Sequence, residues 1–229
     1  MRISGFEKLT LLNYPEKVAC MIFTKGCNFK CPFCHNSELI NIDSNYEEIT
    51  ENEIFSYLEK RKNILDGVCI SGGEPLIHKD IGIFISRIKS LGFCVKLDTN
   101  GSNPTLLKEL IDNNLIDYVA MDIKNTFDKY NDTSGVSVNI ENIKKSIKII
   151  EDSNIKYEFR TTLVKEYHDI NDIEEICKMI DNKSIYYLQN FVNNEGVLNR
   201  KLNPFSTVEL EEIEKKLKGE YPNIIFRDI

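Results

Sequence analysis

The chain has 229 residues, 41% of them hydrophobic and 28% charged, with a formal net charge of −7. That length allows one domain with a sizeable core and no disulfide framework. The negative charge excludes nucleic acid as the main partner, because a phosphate backbone would repel it. No stretch is apolar for long enough to cross a bilayer, and Met1-Arg2-Ile3-Ser4-Gly5-Phe6-Glu7-Lys8 has no apolar signal region, so a cytoplasmic protein without a membrane partner is expected.

Residues 1–16 read as an N-terminal extension, 17–191 as a barrel, and 192–229 as a C-terminal helix and strand, all within a single domain of 1–229. Apolar, β-rich runs fall near 18–24, 67–71, 93–98, 117–123, 156–164 and 185–191, each followed by a helix-period segment, with a last strand near 223–227. Six βα units of this kind predict an α/β fold with a parallel sheet that closes partly into a barrel. Thr50 with Glu53 and Ser206 with Glu209 have the form of capping boxes. Asn103-Pro104 reads as a helix start, and Gly92 as the end of a helix over 81–91.

After the first of these strands comes Gly26-Cys27-Asn28-Phe29-Lys30-Cys31-Pro32-Phe33-Cys34-His35-Asn36. The three cysteines offer three thiolates, one fewer than a four-iron cluster normally takes, so one iron would remain open to a substrate or cofactor. Two other readings stay open at this point. The set could be a Cys3His zinc site, although adjacent Cys34 and His35 would have difficulty meeting on one tetrahedral ion, or simply unligated thiols. The remaining cysteines, Cys20, Cys69, Cys94 and Cys177, have apolar neighbours and read as buried reduced thiols.

The later strands end in polar clusters: Ser71-Gly72-Gly73-Glu74-Pro75, Asp98-Thr99-Asn100-Gly101, Asp122-Ile123-Lys124, and Arg160-Thr161-Thr162 within the fifth. In a barrel of parallel strands these all fall on the rim that carries function. Taken singly, the glycine pair could be an ordinary βα turn and Asn100-Gly101 an ordinary Asn-Gly turn. Asp122 and Lys124 share one face of a strand whose other face is apolar, and a charged pair pointing inward is costly unless it binds something. With Arg160 added, the rim suits a zwitterionic ligand. His35 could touch such a ligand or be an ordinary buried histidine, whereas His78 and His168 read as unrelated to chemistry.

The cysteine spacing resembles the signature of the radical S-adenosylmethionine (SAM) enzymes, and Gly72-Gly73-Glu74 resembles their glycine-rich SAM motif. Gly5 to Pro15, Lys17 to Asn36, Leu97 to Pro104, Val119 to Lys124 and Tyr157 to Val164 are similar to the activating enzymes of glycyl-radical proteins, in particular the group that acts on anaerobic ribonucleotide reductase. The resemblance spans most of residues 5–191. It implies a partial (β/α)6 TIM-like barrel and an oxidoreductase that cleaves SAM at a [4Fe–4S] cluster, using the 5′-deoxyadenosyl radical to take a hydrogen atom from a partner's glycine. It further implies a flavodoxin or ferredoxin type electron donor. Cys27, Cys31 and Cys34 would hold the cluster, and Phe33 would lie against the adenine. Gly72, Gly73 and Glu74 would meet the methionine end of SAM. Asp98, Thr99, Asn100 and Asp122 would lie near its carboxylate, with room for a monovalent cation, and Lys124 and Arg160 would complete the charged wall. The rivals are an activase of pyruvate formate-lyase type, a radical-SAM enzyme for a small molecule, and a non-enzyme such as an iron–sulfur carrier or zinc scaffold. Residues 190–199 match no assignable pattern.

Overall fold

The computed structural model describes residues 1–42 and 47–227. Its centre is an eight-stranded sheet in sequential order: β1 (Ile3–Thr10), β2 (Ala19–Thr24), β3 (Gly67–Gly72), β4 (Cys94–Thr99), β5 (Tyr118–Asp122), β6 (Lys156–Leu163), β7 (Tyr186–Asn190) and β8 (Ile224–Arg227). All neighbours from β2 to β8 run parallel. Each gap between them holds a helix: α1 (Glu51–Arg61), α2 (Ile81–Ser90), α3 (Pro104–Asp112), the short α4 (Tyr130–Ser134) with α5 (Ile140–Glu151), α6 (Ile170–Lys178) and α7 (Thr207–Leu217). This is the expected run of six βα units and a final strand, and its two edges, β1 and β8, leave the barrel open.

The element ends follow local chemistry. Both expected capping boxes form, at Thr50 and Ser206, and Asn103 caps α3 ahead of Pro104. Gly92, just beyond α2, takes a φ of 93°, which a residue with a Cβ adopts only under strain. The helices bury one stripe each, such as Ile81, Phe84, Ile85 and Ile88 of α2, against the outer face of the sheet.

The N-terminal extension departs from expectation. Residues 3–10 add an antiparallel strand to β2, with register breaks between Ile3 and Gly5 and between Glu7 and Thr10. Its sequence lacks a clean alternation because it is an irregular edge strand, exposed over Glu7, Lys8 and Leu9. The turn that follows sends Tyr14 inside the barrel, where it joins Ala19, Met21, Cys69 and Tyr118 in a small apolar cluster separate from the main core. The Tyr14 and Tyr118 rings meet edge to face at 5.9 Å. This cluster closes the floor, so the opening lies at the C-terminal ends of the strands.

Candidate active site

At that end lies a cavity of about 420 Å3. All the residues singled out from the sequence line it: Cys27, Cys31, Phe33 and Cys34 from the loop after β2, Gly72, Gly73 and Glu74 after β3, Asp98, Thr99 and Asn100 at the end of β4, Asp122 and Lys124 at the end of β5, and Arg160 on β6. His35 also reaches it. Ser71 and Thr162, members of the polar clusters expected on this rim, line it as well, and so do Asn13 and Gln189, which the sequence reading missed. Three of these had a signal in the period of two along a strand, since Ser71 follows Cys69, Thr162 follows Arg160 and Gln189 follows Tyr187 on the inward face.

The cysteine loop is fixed by its backbone. Gly26 N–H donates to Leu39 O and Cys27 N–H to Ile40 O, at 2.7 and 3.0 Å, and Cys34 N–H closes a turn on Cys31 O. The glycine pair serves this packing. A Cβ at Gly73 would overlap Gly26 O, and Gly72, at φ 108°, would press one onto the backbone of Thr24. Glycine is therefore required here by contact between two loops of the chain, whatever the backbone of the pair offers to the cavity it lines.

Glu74 likewise faces the protein. Its carboxylate accepts from Leu76 N–H at 3.0 Å, Thr99 Oγ1 at 2.7 Å and Asn100 N–H at 2.7 Å. Burial pushes its pKa up to about 7, against the downward pull of these three donors. Asn100 in turn donates to Asn28 Oδ1 at 2.9 Å, and Asn28 to Ser102 Oγ at 2.8 Å, so the loops after β2, β3 and β4 form one braced rim.

The charged groups stand together. Asp122 pairs with Lys124 at 2.9 Å and with Arg160 Nε at 2.8 Å. Burial works to raise the Asp122 carboxyl, but the two cations hold it well below the usual carboxylate range. Arg160 also lies 3.5 Å from Asp98 Oδ2, while the buried Asp98 Oδ1 has no hydrogen-bond partner. Lys124 sits 5.9 Å from the centre of the Phe33 ring. His168 is structural, with Nε2 on Lys124 O at 2.9 Å and Nδ1 at Val164 N–H, and His78 holds Lys25 O. His35 Nε2 bonds Val192 O at 2.7 Å and its ring stacks on Phe191.

The three cysteines carry free thiols, and burial pushes Cys27 up to about 12, Cys31 up to about 11 and Cys34 upward as well. Among the described residues no three His, Cys, Asp or Glu side chains gather closely enough to hold a single metal ion. Cys27, Cys31 and Cys34 all line the one cavity, with the Phe29 N–H donating to Cys27 Sγ at 3.4 Å, and soft sulfur donors suit iron–sulfur chemistry.

The model of the Radical SAM superfamily matches residues 21–180. The chain belongs to the radical SAM superfamily. A Methanocaldococcus jannaschii protein provisionally named a glycyl-radical enzyme activating enzyme is 39% identical, over 99% of this chain and 96% of its own length. The pyruvate formate-lyase-activating enzyme of Clostridium pasteurianum is 27% identical over 93% of this chain and 86% of its own. Among solved structures, Streptococcus suis SuiB bound to S-adenosylmethionine superposes with a TM-score of 0.68 at 18% identity, covering 88% of this chain; the chain spans about half, 48%, of that protein. Radical SAM enzymes use a [4Fe–4S] cluster and SAM, and the chain stands with the glycyl-radical activating enzymes among them.

Proposed function

We propose that this protein generates the glycyl radical of anaerobic ribonucleotide reductase, holding a [4Fe–4S] cluster through Cys27, Cys31 and Cys34 and SAM in the cavity beside it. The observation that carries the reading is that one cavity is lined by three kinds of group: the thiols of Cys27, Cys31 and Cys34, the charges of Asp98, Asp122, Lys124 and Arg160, and the neutral Thr162 and Gln189 of β6 and β7. When bound, the cluster and SAM together supply a one-electron cleavage that yields a carbon radical able to take a hydrogen atom from carbon.

The chain's own groups bind, orient and shield. Forming the thiolate ligands means removing three protons that burial holds tightly, so cluster binding releases protons and is favoured by higher pH. Lys124 and Arg160 offer cations to the carboxylate of SAM, and Asp98 and Asp122 offer anions to its amino group and to a monovalent cation. Phe33, 4% exposed, gives a flat apolar surface for the adenine. A glycine inside a peptide offers only its N–H and C=O, which the side-chain amide of Gln189 complements.

The reductase as partner rests on the sequence likeness over residues 5–191, and the 39% identity to the Methanocaldococcus protein supports the broader activase role. A flavodoxin or ferredoxin would supply the electron. The test mixes the reconstituted protein anaerobically with SAM, a reductant and the anaerobic ribonucleotide reductase of the same organism. A glycine-centred radical on the reductase, seen by electron paramagnetic resonance and absent when the candidate glycine is alanine, is the expected result. A radical on pyruvate formate-lyase alone overturns the partner and keeps the chemistry. SAM cleavage with no radical on either protein points to a small-molecule substrate, and no SAM cleavage at all overturns the reading.

A further inference from the structure

The segment 191–203 between β7 and α7, which has no helix or strand, lies across the second half of the cysteine loop. It is anchored by Phe191, Val197 and Leu202, each at most 4% exposed. Besides bonds to Leu163, Lys165 and Glu166 at its two ends, its polar contacts with the cysteine loop cluster on Cys34 and the residues around it. Leu198 N–H donates to Cys34 O at 3.3 Å and Asn199 N–H to Pro32 O at 2.8 Å, while Ser37 donates to Gly196 O through both its N–H, at 3.3 Å, and its hydroxyl, at 2.6 Å. His35 adds its bond to Val192 O. At the centre of this contact a Cβ on Gly196 would overlap the carbonyl oxygen of His35. Gly196 does not have a positive φ, so nothing in its own backbone demands glycine. The requirement comes only from the closeness of two chain segments.

We propose that Gly196 is a positioning residue for Cys34: the absence of its side chain lets the 191–203 strap press on the His35 peptide and set how far the third thiol projects into the cavity. The strap bonds to the loop mainly through backbone, so it holds the loop's position whatever side chains surround it, and a displaced peptide at His35 carries Cys34 with it. This inference rests on the reading that Cys34 is a cluster ligand.

The experiment compares anaerobically reconstituted wild type with Gly196→Ala, Ser37→Ala and, as a control, Gly219→Ala, whose added Cβ would meet nothing within 4 Å. Two properties are followed: the rate at which iron is lost to excess EDTA, and the electron paramagnetic resonance spectrum of the reduced cluster with and without SAM. Groups that orient metal ligands typically alter metal retention by about tenfold or more. Gly196→Ala should therefore lose iron about tenfold faster and show a displaced SAM-dependent signal while its circular dichroism stays that of the wild type. Ser37→Ala, which removes one bond and adds no bulk, should lose iron about threefold faster, and Gly219→Ala should match the wild type. Wild-type release rate and signal in Gly196→Ala overturn the inference. Should Gly196→Ala not fold, Ser37→Ala decides, and a wild-type rate there overturns it equally. A wild-type protein that assembles no cluster overturns the functional reading instead, so the two failures are distinct.

Discussion

Glu74 braces the same loop that the sequence marks for a ligand. The sequence marks it as part of a ligand-binding motif, yet its carboxylate spans Leu76, Thr99 and Asn100 and ties the loop after β3 to the end of β4. What it leaves for a ligand is the backbone of its own loop. In Glu74→Gln one carboxylate oxygen becomes an NH2 group, which must face the N–H of either Leu76 or Asn100. A buried donor left without an acceptor costs about 1–3 kcal/mol, so the variant should melt lower by that amount in denaturant unfolding. Because Asn100 follows Asp98 and Thr99 directly, SAM binding should weaken as well. Unchanged stability and SAM affinity would show that the brace is dispensable.

At the level of elements, β6 and β7 carry the side of the cavity that the cysteines do not explain. Thr162 and Gln189 are register partners across these strands, and among the described residues neither side chain makes a hydrogen bond. Neutral, unengaged polar groups beside a charged set suit a substrate that brings peptide groups. Gln189→Ala should raise the KM for the protein partner about tenfold, the worth of roughly one good hydrogen bond, while kcat changes little. An equal loss in kcat with KM unchanged would place Gln189 elsewhere in the reaction. The βα alternation was legible because the strands stand out as short runs rich in apolar and β-branched residues, even where an inward position is charged, and their helices begin at capping signals. Neither β1 nor the 191–203 strap was legible: β1 is an edge strand with register breaks, and the strap is held by backbone bonds to Pro32, Cys34 and Ser37 that only the folded chain brings together.

Across the whole molecule the barrel interior changes from apolar at the floor to charged at the rim, and the charges form a continuous set. Lys96 lies 3.6 Å from Asp98 and 3.7 Å from Glu158, Arg160 approaches Asp98, Asp122 and Glu158, Lys124 pairs with Asp122, and Arg227 stands 3.5 Å from Glu158. Four cations thus face three carboxylates, an excess that favours a ligand bearing a carboxylate. The rim half of this set was readable from motifs, but Lys96 and Glu158 were not, since a charge inside a strand pattern has no local signal until its partners on other strands are known. Glu158 is the most exposing test of the whole arrangement because it is fully buried. One of its oxygens accepts from Tyr118 at 2.8 Å, and the other has only ionic neighbours. Removing one member of a buried ion set typically costs about 3–5 kcal/mol, because the partners stay buried without their counter-charge. Glu158→Gln preserves shape and removes that charge, so its Tm should fall by on the order of 10 °C for a chain of this size. The exposed Lys108–Asp112 pair, at 2.6 Å, is the matching control: Lys108→Met should shift stability by less than about 1 kcal/mol. A Glu158→Gln variant as stable as the wild type would mean that Lys96 and Arg160 are balanced without it, and that the interior charges act as separate pairs.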